Sequence, residues 1–119
     1  MEYFVKQTLL YDFYGELLTE RQKQIYESIV LEDYSLSEAA EEYGISRQGV
    51  HDMLKRCNAI LEGYEEKLHL VEKFVNIRSQ VQQIRKLASE LKAGGCSGTI
   101  IELKSEEIEK ISGEVLEEL

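Results

Sequence analysis

The residues best suited to chemistry lie in the stretch SRQGVHDMLKR, which covers positions 46–56. An arginine side chain can form two hydrogen bonds with guanine, and a glutamine side chain can do the same with adenine. Arg47 and Gln48 supply these groups at the predicted start of a helix. The first backbone N–H groups of such a helix suit a phosphate oxygen, and basic residues further along can hold the nucleic-acid backbone. The candidate nucleic-acid-binding residues are Ser46, Arg47, Gln48, His51, Lys55 and Arg56.

A helix-turn-helix must position these side chains, and the stretch from Leu36 to Lys55 has the required pattern. The positions that such a unit buries hold apolar or aromatic residues, namely Ala39, Tyr43, Ile45, Val50 and Met53. The closest helix contact needs a small side chain, which Ala40 provides, and the turn needs a residue that tolerates positive φ, which Gly44 provides. This match in register predicts a helix-turn-helix, the unit whose second helix enters the major groove of DNA.

Capping patterns mark where the helices before this unit begin. Thr19 followed by Gln22 forms a capping box, and Ser35 followed by Glu38 repeats it. Ahead of them, residues 3–17 predict an amphipathic helix. Its apolar stripe consists of Phe4, Val5, Leu9, Phe13 and Leu17. The predicted fold is all-α, with a three-helical helix-turn-helix core and a long C-terminal helical extension.

The extension has no firm stop between Ser46 and residues 93–98, although Gly63 is a candidate kink. Its apolar residues recur in alternating steps of three and four, which is typical of a coiled coil. We therefore expect a homodimer whose interface consists of Leu68, Val71, Ile77, Val81 and Ile84. The alternative is a monomer in which the first helix and the C-terminal tail cover this seam.

Three segments follow from these patterns: a helix-turn-helix domain at 1–62, a helical dimerisation extension at 63–92, and a hinge with an acidic helix at 93–119. The hinge is AGGCSG, and Ser105 is the predicted cap of the last helix, with residues 99–104 as a candidate extended segment. Cys57 on an apolar stripe and Cys96 in the hinge predict two reduced thiols in a cytoplasmic protein.

The residue pattern predicts neither catalysis nor a bound cofactor. His51 and His69 are far apart in the chain and lack a thiol or carboxylate at metal-ligand spacing. Adjacent glutamates splay around a helix, and AGGCSG lacks the lysine and the strand of a phosphate-binding loop. We therefore predict a protein that is not an enzyme and that binds no metal and no cofactor. No apolar run in the sequence approaches the length of a membrane span.

Charge is unevenly distributed in this chain, whose formal net charge is −9. Residues 93–119 contain two bases and seven acids, whereas residues 63–92 contain six bases and four acids. An acidic protein is steered poorly toward nucleic acid and neutralises few phosphates. We therefore expect weak or dimer-dependent binding to DNA, which the acidic tail opposes.

Two known groups resemble this chain. The fourth conserved region of bacterial sigma factors, which reads the −35 promoter element, is similar to LTERQKQIYESIVLEDYSLSEAAEEYGISRQGVHDMLKR. The YlxM family of small bacterial helix-turn-helix proteins resembles residues 3–92 as a whole, including YFVKQTLLYDFYGELLTERQ and ILEGYEEKLHL. This second resemblance implies a cytoplasmic, all-helical dimer. It also implies a link, through gene neighbourhood, to the signal recognition particle, whose core is a GTPase bound to a small RNA.

Two functions stay open at this point. In the first, the protein is a nucleic-acid-binding regulator that contacts DNA or, as a component of the particle, structured RNA. In the second, it is a non-enzymatic adaptor of that pathway that keeps the sigma-like scaffold and presents an acidic surface to a basic protein. The placement of Arg47 and Gln48 in the first turn of the helix favours the first function. The structural alternative is that these side chains form an ordinary solvated helix face.

Overall fold

The computed structural model describes residues 3–95 and 97–119, and the regular elements in those ranges are all helical. They are α1 (Tyr3–Tyr14) with a 3₁₀ turn (Gly15–Leu17), α2 (Glu20–Val30), α3 (Leu36–Tyr43), α4 (Arg47–Leu68), α5 (Leu70–Ala93) and α6 (Gly98–Glu118). The predicted all-α class is confirmed. None of these described helices is long and apolar enough to cross a membrane. One compact unit ends at Val71, and the second comprises Glu72–Leu119.

Side-chain caps fix where α2 and α3 begin. The Thr19 Oγ1 accepts from the N–H of Gln22 at 3.2 Å, and the Gln22 Oε1 accepts from the N–H of Thr19 at 2.9 Å. Ser35 and Glu38 form the same reciprocal pair at the start of α3. α3 ends at Gly44, whose φ of 67° glycine adopts without strain. Both predicted capping boxes and the predicted left-handed stop are confirmed.

The core of the first unit forms where α2, α3 and α4 meet. Ile25 of α2, Ala39 and Ala40 of α3, and Val50 of α4 are buried together. Partly buried side chains pack around this cluster, namely Ile29, Tyr34, Leu36, Tyr43, Ile45 and Met53. The predicted burial of Ala39, Ala40 and Val50 is confirmed, and the larger residues of the predicted core lie at its edge. Small side chains on α3 therefore let the two helices of the helix-turn-helix lie close together.

The buried side of α1 differs from the predicted apolar stripe. Phe4 and Leu17 are 61% and 56% exposed, whereas Gln7 is only 2% exposed and Leu10 is completely buried. α1 carries apolar residues on both sides, so hydrophobic spacing alone does not identify the side that packs. The predicted stripe is therefore wrong for this helix.

Tyrosine hydroxyls hold the buried side of α1 against its neighbours. The Tyr26 hydroxyl donates to Asn58 Oδ1 at 2.8 Å and lies 3.0 Å from Gln7 Oε1. The Tyr11 ring stacks on Tyr26, and its hydroxyl donates to Glu27 Oε1 at 2.5 Å. Burial, together with this bond to Glu27, raises the pKa of the Tyr11 hydroxyl above its usual range. Because the Tyr26 hydroxyl lies within hydrogen-bond distance of Gln7 Oε1, a face that contains this glutamine is buried at a lower cost than one without any polar partner.

A hydrogen-bonded junction joins α1 to the end of α4 and the start of α5. The Tyr14 hydroxyl donates to Glu65 Oε1 at 2.6 Å and accepts from the N–H of Leu70 at 3.1 Å. The same Glu65 oxygen accepts from the N–H of Val71 at 2.9 Å. Side chains thus satisfy two N–H groups that the first turn of a helix leaves without an internal partner. His69 separates the two helices, with a left-handed φ of 55°.

Two helices, α4 and α5, cover the stretch in which the sequence pattern shows no firm stop. α4 continues through Gly63 and ends at Leu68, so the predicted uninterrupted helix beyond Ser46 is wrong. The boundary between the two compact units falls after Val71, whereas the sequence boundary between residues 62 and 63 lies inside α4. The break between α4 and α5 could not be predicted from a glycine or proline, because the residue with the left-handed conformation is a histidine.

The last helix starts earlier than predicted. The Ser97 Oγ accepts from the N–H of Ile100 at 3.3 Å, and α6 begins at Gly98. The predicted cap, Ser105, lies within the helix. The predicted start at this serine and the candidate extended segment 99–104 are therefore wrong.

Two glycines and an ion pair lie at the connection between α5 and α6. Gly94 and Gly95 have φ values of 82° and 75°, in the region where glycine is favoured. Lys104 Nζ lies 2.6 Å from Glu90 Oε2, and its hydrogen bond lowers the pKa of this carboxyl group. The predicted reduced thiol of Cys96 lies outside the described residues.

Replacing Ala40 with leucine tests the contact between α3 and α4. The larger side chain overpacks the buried cluster, so we expect the free energy of unfolding to fall by about 1–3 kcal/mol. Urea unfolding followed by far-UV circular dichroism measures this change. Ala59→Leu, at an exposed position on α4, is the matched control. An Ala40→Leu variant as stable as the wild type would contradict the proposed helix contact.

Replacing Tyr14 with phenylalanine tests the junction between α1, α4 and α5. The change removes one hydroxyl and leaves the Leu70 N–H without its acceptor, so we expect a loss of about 1–3 kcal/mol of stability. The control is Tyr64→Phe, because this ring stacks on Tyr14 but its hydroxyl makes no hydrogen bond in the described part of the chain. Equal unfolding midpoints for the two variants would argue against a stabilising role for the junction.

Candidate nucleic-acid interface

α4, the second helix of the helix-turn-helix, turns one side to the core and the other to solvent. Val50, Cys57 and Leu61 are completely buried on the inner side. Burial raises the pKa of the Cys57 thiol to about 11, so this side chain is an uncharged core residue at neutral pH. The predicted contact residues are all exposed, namely Ser46, Arg47, Gln48, His51, Lys55 and Arg56. They share the outer side of about three helical turns.

Ser46 fixes the start of α4. Its Oγ accepts from the N–H of Gly49 at 2.9 Å. A Cβ atom at position 49 would lie 3.2 Å from this oxygen, so a glycine gives the cap its room. The Ser46 hydroxyl proton and the N–H groups of Arg47 and Gln48 are at the positive end of the helix dipole. This arrangement suits a phosphate oxygen.

Asp52 orients the polar side chains beside it. Gln48 Nε2 donates to Asp52 Oδ1 at 3.0 Å, and His51 Nδ1 lies 3.8 Å from the same oxygen. One amide proton of Gln48 is therefore engaged, while the second proton and the carbonyl oxygen are left for a base edge. These are the two groups that an adenine contact requires. This hydrogen bond depends on the rotamers that Gln48 and Asp52 adopt, which the sequence pattern does not encode.

Leu36 of α3 borders the first turn of α4. Together with Arg47, Gln48 and His51 it lines a shallow, open depression. A second depression further along α4 is lined by Asp52, Lys55, Arg56 and Ala59. The candidate interface is therefore an open surface and not an enclosed cavity. A helix that enters a groove of nucleic acid needs such an open surface.

Arg21 of α2 clamps the end of α3, and sequence reasoning missed it. Its Nη2 donates to the backbone oxygen of Tyr43 at 3.0 Å, and its guanidinium lies 5.8 Å from the centroid of the Tyr43 ring. The Tyr43 hydroxyl is 2.6 Å from Ser28 Oγ and donates to the backbone oxygen of Gln24 at 3.1 Å. α3 is thereby held on α2 just before the turn that leads to α4. A contact over twenty positions leaves no local signal in the sequence.

Potential metal ligands do not converge at this surface. Among the described residues, no group of three or more His, Cys, Asp or Glu side chains is arranged to hold a metal ion. His51 lies beside Asp52 on one helix, whereas Cys57 is on the buried side.

A protein-family model described as "Putative helix-turn-helix protein, YlxM / p13 like" matches residues 1–95. The chain belongs to this family. The match confirms the resemblance seen in the sequence, and it ends before α6 begins.

Relatives in the YlxM / p13-like family are similar over most of their length. The UPF0122 protein YlxM of Bacillus subtilis is 45% identical over 89 residues, which are 75% of this chain and 81% of that protein. A UPF0122 protein of Thermoanaerobacter is 52% identical over 83 residues, or 70% of this chain and 71% of the relative. Another, from Shouchella clausii, is 43% identical over 97 residues, or 81% and 89% of the two chains.

In this member of the YlxM / p13-like family, the five predicted dimer residues are divided between the two compact units. Leu68 and Val71 belong to the first unit, and Val71 is only 5% exposed within a single chain. Ile77, Val81 and Ile84 belong to the second unit, where Val81 is 48% exposed and the two isoleucines are partly buried. Leu68 is 53% exposed, so Val71 is the buried member of the set in the first unit.

Proposed function

We propose that this protein is a regulatory nucleic-acid-binding protein that reads duplex DNA with the outer side of α4. The observation that carries the proposal is the exposure of Arg47, Gln48, His51, Lys55 and Arg56 on one side of the second helix of a helix-turn-helix. Membership of a helix-turn-helix family supports the same conclusion. In this class of unit, the first turns of the second helix meet base edges.

The side chains divide into those that specify and those that position. Arg47 can bond to the O6 and N7 atoms of guanine, and Gln48 can bond to the N6 and N7 atoms of adenine. Lys55 and Arg56, further along the helix, reach phosphates, which fix the register of the protein without selecting a sequence. His51 lies between the two groups and can donate to either.

The proposed binding form is a homodimer, with Leu68, Ile77, Val81 and Ile84 in the interface. A single α4 has few positive charges with which to neutralise phosphates, while the chain as a whole has a net charge of −9. Two copies double the number of contacts and read two half-sites, which raises both affinity and specificity. The resemblance to YlxM proteins supports a place in the signal recognition particle pathway, so structured RNA is the second nucleic acid to test.

Arg47→Ala and Lys55→Ala are expected to weaken DNA binding in different ways. Loss of a bidentate base contact at Arg47 should cost about 1–3 kcal/mol at a preferred site and relax the sequence preference there. Loss of a phosphate contact at Lys55 should weaken all sites alike and reduce the salt dependence by about one unit. Sites selected from a random duplex library, followed by titration at several salt concentrations, measure both effects.

Lys67→Ala is the control for these two variants, because Lys67 is an exposed base near the other end of α4. Full binding by Arg47→Ala and Lys55→Ala would argue against the proposed interface. Capture of a basic protein without any nucleic-acid binding would instead favour the adaptor of the same pathway.

Val81→Asp is expected to convert the dimer to a monomer. A carboxylate without a partner is strongly disfavoured in an apolar helical seam, whereas an exposed position in a monomer tolerates it. Sedimentation velocity of the wild type and the variant measures the change. Ser79→Asp adds the same charge at an exposed position off this seam and should leave the dimer intact. A wild type that is monomeric at high micromolar concentration would refute the dimer.

A further inference from the structure

Of the three segments 1–62, 63–92 and 93–119, only the second has a positive balance of charge, and it extends beyond the helix-turn-helix. Residues 63–92 contain six bases and four acids, and most of them lie on α5. Within α5, three of the bases are spaced by seven residues: Arg78, Arg85 and Lys92. Seven residues are close to two turns of an α-helix, so these bases share one side. Gln82 and Ser89 lie between them on that side, and we name these five residues the basic stripe.

The basic stripe is open to solvent along its whole length. All five of its side chains are exposed, and α5 is an unbroken helix from Leu70 to Ala93. At the rise of an α-helix, the three bases are about 10 Å apart and the stripe is about 21 Å long. Around the helix axis, the middle of the stripe lies about 110° from Ile77 and Ile84 and about 60° from Val81, so the proposed dimer seam borders the stripe at Val81 and leaves its outer side open.

Among the described residues, no carboxylate is paired with a base of the basic stripe. In the part of the chain that the structure describes, Arg78, Arg85 and Lys92 have no carboxylate within 4.0 Å. The acids of α5, Glu72 and Glu90, lie on a different side of the helix, and Glu90 is bonded to Lys104. The stripe is therefore a continuous cationic surface in an otherwise acidic protein.

We propose that the basic stripe binds the phosphodiester backbone of nucleic acid, as a second contact surface in addition to the outer side of α4. This inference rests on the proposed function and deepens it. Duplex DNA carries one negative charge per 1.7 Å or so of its axis, so the stripe meets phosphates in any register. The guanidinium groups form paired hydrogen bonds with phosphate oxygens, and Gln82 and Ser89 add neutral donors between them.

The outer side of α4 and the basic stripe would make different contributions to binding. The outer side of α4 offers Arg47 and Gln48 to base edges and thus sets the sequence preference. The basic stripe contacts no base and supplies the salt-dependent part of the affinity, which α4 alone provides weakly. Removal of the stripe should therefore lower affinity for every sequence by the same factor.

The test compares two full-length variants with the same change in net charge. One combines Arg78→Gln, Arg85→Gln and Lys92→Gln; the other combines Lys67→Gln, Lys73→Gln and Lys86→Gln, three exposed bases outside the stripe. Binding to a short DNA duplex of random sequence and to an RNA hairpin is titrated between about 50 and 200 mM salt. The stripe variant should lose roughly a thousandfold in affinity at about 50 mM salt, and its salt slope on duplex DNA should fall by about three units, so that the loss becomes smaller as the salt concentration rises. The control should lose less than one unit of slope.

The outcomes separate this inference from the proposed function. Equal losses in the two variants, or an unchanged slope in the stripe variant, would overturn the stripe even if Arg47→Ala still relaxed the sequence preference. A reduced slope in the stripe variant, together with an unchanged preference in Arg47→Ala, would uphold the stripe and overturn reading by α4. Absence of binding to both probes at low salt would overturn both. If the stripe variant lost affinity for only one of the two probes, the RNA hairpin or the DNA duplex, that result would identify which backbone the stripe binds. If polyglutamate displaced the bound duplex as effectively as unlabelled nucleic acid does, the proposal that the stripe binds phosphodiester groups would be overturned.

Discussion

The close contact of Ala39 and Ala40 with Val50 is the constraint on which the candidate interface depends. Val50 fixes which side of α4 faces the core, and the periodicity of the helix then turns Arg47 and Gln48 outward. Larger residues on α3 would push α4 away and rotate its outer side with it. The orientation of the candidate surface is thus set by small side chains that lie inside the core.

Polar contacts also hold α4 in place, at positions far from this core cluster. Close to the end of the helix, Glu65 bonds to the Tyr14 hydroxyl and to the first turn of α5. Near its middle, Asn58 accepts from the Tyr26 hydroxyl. Because such bonds are directional, they fix the position of a long helix more narrowly than apolar packing alone. The 22 residues of α4 therefore form a rigid support for the contact residues.

Features that depend on neighbouring residues were predictable from the sequence, whereas contacts between residues far apart in the chain were not. The caps at Thr19 and Ser35 and the left-handed Gly44 each depend on neighbouring residues, and all of them were predicted correctly. The buried side of α1 depends on which polar groups find partners elsewhere, as Gln7 does, and hydrophobic spacing does not encode this choice. His69 ends α4 without the residue type that usually marks such a break. The outward placement of Arg47 followed from periodicity, whereas the clamp by Arg21 required the fold.

The bond from Gln48 to Asp52 has a consequence for the conformational entropy of binding. A glutamine at an exposed helical site samples several rotamers, and ordering it on a ligand costs about 0.5–1.5 kcal/mol. Asp52 restricts those rotamers in the free protein, so part of this cost is already met when folding is complete. In the proposed complex, the carboxylate would also repel phosphate, so a misplaced helix would be less stable than one seated against bases. Preorganisation of this kind favours discrimination between sequences over tight binding to all of them.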